Sequence, residues 1–183
     1  MRKLALSLAL ACGSALALSS PVMARNPMVG GAAMYPTRNI VQNAVNSKDH
    51  TTLVAAVKAA GLVDTLSSKG PFTVFAPTNE AFDRLPAGTV ETLVKPENKG
   101  TLTKILTYNV VPGRITAQQI AAMAKRHGGT ATLKTVEGEN LMFRMSGGGW
   151  WVIDAKGDKA RITIPNVMQS NGVIHVIDAV LMP

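Results

Sequence analysis

The sequence predicts an α+β fold with the helices first and the strands later. Three observations carry this. Up to about Lys125, apolar residues recur mostly at helical spacing; from Thr130 onward they recur at strand spacing. Near the end, Asn171-Gly172 divides two apolar runs, the strongest hairpin signal in the chain. Helices followed by strands point to α+β rather than to alternating units with a parallel sheet.

The elements follow in order. Ile40, Val41, Ala44 and Val45 share one helical face, and so do Leu53, Val54, Val57 and Ala60, with Gly61 placed to end that helix in the left-handed region. Phe72 to Phe75 reads as a short strand stopped by Pro77. Thr78 can cap a helix carrying Glu80 in its first turn and Ala81, Phe82 and Leu85 on its apolar side. Val90, Leu93 and Val94 suggest another turn or two. Thr101 to Thr107 is a helix with Leu102, Ile105 and Leu106 inward. Tyr108 to Val111 is strand-like, and Pro112-Gly113 makes a turn. A helix over Thr116 to Lys125 ends at Gly128-Gly129. Strands are expected at Thr130 to Lys134, Asn140 to Met145, Trp150 to Asp154, Ala160 to Ile164 and Val173 to Leu181. Asn171 and Gly172 are expected to form the last turn with positive φ.

The N-terminus has a different character. Arg2 and Lys3 precede an apolar stretch over Leu4 to Leu18, Pro21 interrupts it, and Val22-Met23-Ala24 is a small-residue processing site. That order is a secretory signal peptide, and its apolar run is shorter than the ~20 residues of a spanning helix. A lipoprotein signal ending at Cys12 fits less well, because the apolar stretch before it is too short. The expected organisation is therefore a signal peptide at 1–24, a flexible segment at 25–37 rich in Gly and Pro, and one domain over 38–183. The mature chain has no transmembrane segment.

Cys12 is the only cysteine and leaves with the signal. The exported domain must be held by packing alone, without disulfides. The formal net charge of +8 loses Arg2 and Lys3 on processing. The remaining basic residues are scattered, as on a solvated surface, and export argues against nucleic acid as a partner.

Catalytic patterns are missing. The sequence has no Gly-x-Ser-x-Gly elbow, phosphate loop or His-Glu-x-x-His motif. His50, His127 and His175 sit far apart in three element types, so neither a metal nor a cofactor is expected. His175 and Asp178 stand three apart in a strand and point to opposite faces, which disfavours a triad with Ser170. His175 lies instead in a continuous apolar run, as in a strand buried on both faces, and is expected to organise the core through hydrogen bonds. Trp150 and Trp151 must also face opposite sides, one toward the core and one exposed.

At this point the residues resemble a known family. Phe72-Thr73-Val74-Phe75-Ala76-Pro77-Thr78-Asn79-Glu80-Ala81-Phe82 is similar to the first signature block of the fasciclin domain. Asn171-Gly172-Val173-Ile174-His175-Val176-Ile177-Asp178 and the residues to Pro183 are similar to the second. Tyr108-Asn109-Val110-Val111-Pro112-Gly113 is similar to the central Tyr-His block. The resemblance implies a compact unit in which two short sheets form a wedge with helices at one side. It implies a non-catalytic exported protein of the periplasm or cell exterior, acting in cell adhesion or in cell-surface or extracellular matrix association. The alternative it implies is a carrier of an apolar ligand of carotenoid or lipid type, seated between helices and sheet.

Two departures matter. Asn109 stands where the family's central block has His. Ile164-Pro165-Asn166-Val167-Met168 stands where adhesive animal members can carry Glu-Pro-Asp-Ile-Met, so both carboxylates are gone. The partner-binding candidates are Tyr108, Asn109, Trp150, Trp151, Asn166 and Val167. The structural candidates are Thr78, Asn171, Gly172, His175 and Asp178.

Overall fold

The structure, a computed structural model, describes residues 26–183. The expected signal peptide and Cys12 lie outside the described residues. Chain order begins with a small antiparallel hairpin, β1 (Met28–Val29) and β2 (Ala32–Ala33). The segment 25–37, expected as a flexible lead-in, contains regular structure in its described part, 26–37. Val29 and Met34 are buried in the core. Asn43 holds this hairpin in place: its amide accepts from Tyr35 N–H at 3.1 Å, donates to Tyr35 C=O at 2.8 Å, and also donates to Gln169 Oε1. Those partners are far apart in sequence, so local composition gave no sign of them.

The helical half follows. Asn39 caps α1 (Ile40–Ala44), with Gln42 completing a capping box. Helix α2 (Thr51–Ala60) ends at Gly61, φ 73°. After α3 (Val63–Ser67) comes strand β3, Phe72–Pro77, which includes the proline expected to stop it. Thr78 caps α4 (Asn79–Asp83) by accepting from Ala81 N–H. Helices α5 (Thr89–Leu93) and α6 (Lys99–Tyr108) lead to β4 (Val110–Pro112). Tyr108 and Asn109, expected in the strand, end the helix instead. The Asn109 N–H still bonds to the carbonyls of Ile105 and Leu106. Helix α7 (Ala117–Arg126) starts from a capping box of Thr116 and Gln119.

Strands β5 (Thr130–Lys134), β6 (Asn140–Ser146), β7 (Gly149–Ile153), β8 (Lys159–Gln169) and β9 (Gly172–Ile177) close the chain. The main sheet has seven strands in the order β4-β3-β9-β8-β7-β6-β5, and only β3 and β9 are parallel. Strand β8 belongs to both halves of it. Its Lys159–Arg161 end pairs with β7, and Ile162 to Gln169 pair with β9 across two register shifts. The bulged stretch contains Pro165, which donates no ladder bond, and Asn166 at φ 59°. The two short sheets of the wedge, β4-β3-β9-β8 and β8-β7-β6-β5, thus share β8 and meet at its bulged bend.

Alternation along the central strands divides the core. Val74, Ala76, Ile174 and Val176 pack against the helices. Phe75 and Ile177 point the other way, into a second cluster with Tyr108, Ile120, Phe143 and Val152. Every residue of β9 is buried, as its unbroken apolar run requires.

Candidate interaction surface

The family-derived candidates divide sharply by burial. Tyr108 is 0 % exposed. Its hydroxyl donates to Asn140 C=O at 3.2 Å and accepts from Ala155 N–H at 2.8 Å. Burial pushes its pKa above the ordinary tyrosine value, only partly opposed by the Ala155 bond. Asn109 is buried too and donates to the carbonyls of Ile105 and Leu181. Val167 is buried in the core under the helices. These three side chains join core elements.

Asn166 is half-buried, and its side chain is engaged. Its Oδ1 accepts from Ala117 N–H at 2.8 Å, in the first turn of α7, and its Nδ2 donates to Gln118 Oε1 at 3.0 Å. Short polar side chains tolerate the left-handed backbone this residue adopts. Asn166 thus joins the β8 bulge to α7.

The structural candidates sit around the two ends of β9. Asn171 Oδ1 accepts from Ile40 N–H, and its amide donates to Leu66 and Ser68 carbonyls. The hairpin lies one residue earlier than expected. Ser170 and Asn171 are its turn residues, Gln169 pairs with Gly172, and neither Asn171 nor Gly172 has positive φ. At the other end, Asp178 Oδ1 accepts from Arg161 N–H at 2.7 Å, while its Oδ2 lies 3.9 Å from Arg84.

His175 is fully buried and stacks on Phe75 with ring centres 5.5 Å apart. Its Nδ1 accepts from Asn166 N–H at 3.2 Å, which leaves the proton on Nε2 to bond Ile115 C=O at 2.9 Å. Burial lowers its pKa below 6.5, against a smaller opposite effect of the Ile115 bond. His50 is lowered for the same first reason, with the Ala76 carbonyl and Asp49 opposing. A histidine whose folded pKa lies below its unfolded value stabilises fully above the unfolded pKa. That stability is lost as pH falls below it, because the unfolded chain then binds more protons. The thermal midpoint is therefore expected to be level above about pH 7 and to fall between about pH 6.5 and pH 5. A level midpoint over that interval would contradict it.

Trp150 and Trp151 do face opposite ways, but neither is fully buried and neither is fully exposed. Trp150 packs at the margin of the wedge core. Trp151 lies on the outer face, where its Nε1–H donates to Ser146 C=O at 3.1 Å and fixes the indole. The register places Thr130, Arg144, Trp151 and Arg161 in one row across four strands. The next row holds Thr132, Met142, Ile153 and Lys159. No Asp or Glu occupies an outward position of β5, β6, β7 or the paired end of β8. Sequence alternation pointed to one tryptophan facing outward; the cations beside it became visible only with the strand register.

Between the helices and the sheet lies an apolar cavity of about 60 Å³. His50 Nε2 and Asn109 Oδ1, both buried and without hydrogen-bond partners, belong to residues lining it. This volume is well below the ~300–1,000 Å³ of small-molecule sites.

Comparison with known proteins agrees with this architecture. The chain is 46 % identical over 177 residues to protein sll1483 of Synechocystis sp., covering 93 % of this chain and 91 % of that one. It is 34 % identical over 188 residues to immunogenic protein MPB70 of Mycobacterium bovis, covering 92 % and 89 %. It is 36 % identical over 131 residues to transforming growth factor-beta-induced protein ig-h3 of Sus scrofa, covering 72 % of this chain but only 17 % of that one. Among solved structures, a FAS1 domain pair from the insect cell adhesion molecule Fasciclin I shares the fold. The TM-score is 0.71 at 19 % identity, over 80 % of this chain and 51 % of that one. The sequence model of the fasciclin domain matches residues 48–183, which takes in α2 through β9, and on that match together with these relatives the chain belongs to the fasciclin domain family.

Proposed function

We propose that this chain is a non-catalytic exported protein that associates with a cell surface or extracellular matrix. The outer face of β5–β8 is its contact surface. The observation that carries this reading is Trp151. It is a large, half-buried aromatic side chain held by Ser146, on strands that carry no outward Asp or Glu. Tryptophan and arginine are the side chains that most often anchor interfaces. The signal-peptide pattern at 1–24 supports export. The family supports an extracellular role, and its relatives include a cell surface glycolipoprotein, MPB83, of Mycobacterium bovis. The Tyr108-Asn109 pair and the Asn166-Val167 segment are held within the fold, which supports placing the contact on the outer face instead. The carrier alternative would require the 60 Å³ cavity to open widely.

Attachment tests this reading. Surfaces coated with the protein are expected to hold cells of the native host, and Trp151→Ala is expected to remove most of that attachment while remaining folded. Asn166→Asp keeps the acceptor for Ala117 N–H and is expected to attach like wild type, with or without a divalent-metal chelator. Attachment that disappears on chelation but survives Trp151→Ala would overturn the reading.

A further inference from the structure

We propose that the outer face of β5–β8 binds an acidic polysaccharide, with Trp151 stacked on a sugar ring and Arg144 and Arg161 holding carboxylates or sulfates on either side. This deepens the reading above and rests on its choice of surface.

The geometry is a row. Arg144 and Arg161 are the direct cross-strand neighbours of Trp151. Strands lie ~4.8 Å apart, so the two arginines stand about 10 Å from one another with the indole between them. Lys159 lies in the adjacent row, and Lys134 lies further along β5. None of these four cations is in an ion pair; the ion pairs among the described residues are Arg84–Asp178 and Lys104–Glu137. Arg144 reaches only the Thr130 hydroxyl, at 3.2 Å. The Arg161 guanidinium lies over Gly149, whose missing side chain leaves it room beside Trp151.

Each feature restricts the occupant. Four cations outside any ion pair, on strands with no outward Asp or Glu and with only the Asp178 carboxylate bonded at the Arg161 backbone N–H, call for an anion, and guanidinium groups match carboxylate or sulfate in bidentate fashion. Trp151 has already used its N–H on Ser146, so it offers a partner its face rather than its polar edge. A chain of rings bearing charges at intervals meets a flat row of alternating cation and aromatic plane. A bilayer fits less well, because the face is cationic and, of its apolar side chains Met142, Trp151 and Ile153, only Met142 is exposed.

The test uses the whole protein with alginate as the acidic polysaccharide, dextran as the neutral one, and phosphatidylglycerol–phosphatidylcholine vesicles. Wild type is expected to bind alginate saturably, more weakly as salt rises, and to ignore dextran. In a Trp150→Phe background the remaining tryptophan is expected to change its fluorescence on alginate addition. Arg144→Gln with Arg161→Gln is expected to weaken alginate binding by about tenfold or more. Lys95→Gln with Lys99→Gln, two exposed cations on the helical side, is expected to leave it unchanged.

Alginate binding that survives the double arginine change, or falls equally with the lysine pair, would overturn the proposal. So would binding to vesicles and not to alginate. If alginate is not bound while cell attachment still depends on Trp151, the polysaccharide is wrong and the contact surface stands. If alginate binds at this face while attachment ignores Trp151, the polysaccharide site stands and the attachment role falls.

Discussion

Gly172→Val is expected to yield almost no soluble folded protein, and Gly172→Ala to melt far below wild type. The cause is the parallel pair β3·β9 at the centre of the sheet. A Cβ on Gly172 would overlap the Phe72 carbonyl oxygen and stand 2.9 Å from its carbon and 3.0 Å from its nitrogen. These are backbone atoms of a paired strand, so no side chain can rotate away. Phe72 is also fixed on this side by its N–H, which donates to Asn171 C=O at 3.0 Å. Separating the strands would disrupt the pairing from Phe72–Gly172 to Pro77–Ile177. A loss above about 4 kcal/mol is expected, a large part of the ~5–15 kcal/mol that holds a domain together. Gly172→Asn separates this cause from a turn requirement. Asparagine tolerates positive φ and would be mild in a tight turn, whereas here it is expected to be as damaging as alanine. A wild-type midpoint for Gly172→Ala, measured by thermal unfolding, would show that the close approach to Phe72 is not a constraint.

His175→Ala is expected to cost about 3–5 kcal/mol, because it removes a fully buried ring and takes the partner from two part-buried backbone groups. Those groups are the Asn166 N–H and the Ile115 C=O. They belong to the bulge of β8 and to the segment leading into α7, so the loss should appear as local loosening as well as a lower midpoint. Amide hydrogen exchange is expected to speed up at Asn166 and through the first turn of α7 before it does so in β3. The fall of the midpoint below pH 6.5 should also become shallower, since one of the two depressed histidines is gone. Equal midpoints for variant and wild type would mean that His175 does not organise this part of the core.

Helices α1, α2, α4, α5, α6 and α7 and the strands from Thr130 onward were legible because their signals are local, whereas the short α3 at Val63–Ser67 was not expected. Thr78 and Thr116 stand where a capping side chain is needed, Gly61 where a left-handed residue ends a helix, and β9 is apolar at nearly every position. The misplaced features depend on distant partners. Gly172 looked like a turn residue, but its smallness serves Phe72, a hundred positions earlier. Tyr108 looked like the start of a strand, but it completes α6 and reaches Asn140 and Ala155. The 28–33 hairpin had no period to read and is held through Asn43, next to Gln169 from the last hairpin. For the surface, alternation placed the tryptophans on opposite faces. Only the pairing of β6, β7 and β8 set Arg144 and Arg161 beside Trp151.

The bend of the sheet along β8 has a consequence for how copies of this protein meet one another. It brings the two outermost strands, β4 and β5, back toward each other. The chain just after β5 bonds to β4 and its surroundings, Val136 N–H to Val110 C=O at 2.8 Å and Glu137 N–H to Thr107 C=O at 3.3 Å. Helix α7 packs along β5 as well. Unpaired strand edges are templates on which other chains add strands and aggregate, and a nearly closed sheet offers little of such an edge. Under the proposed surface association, crowded copies would therefore not recruit one another by strand addition.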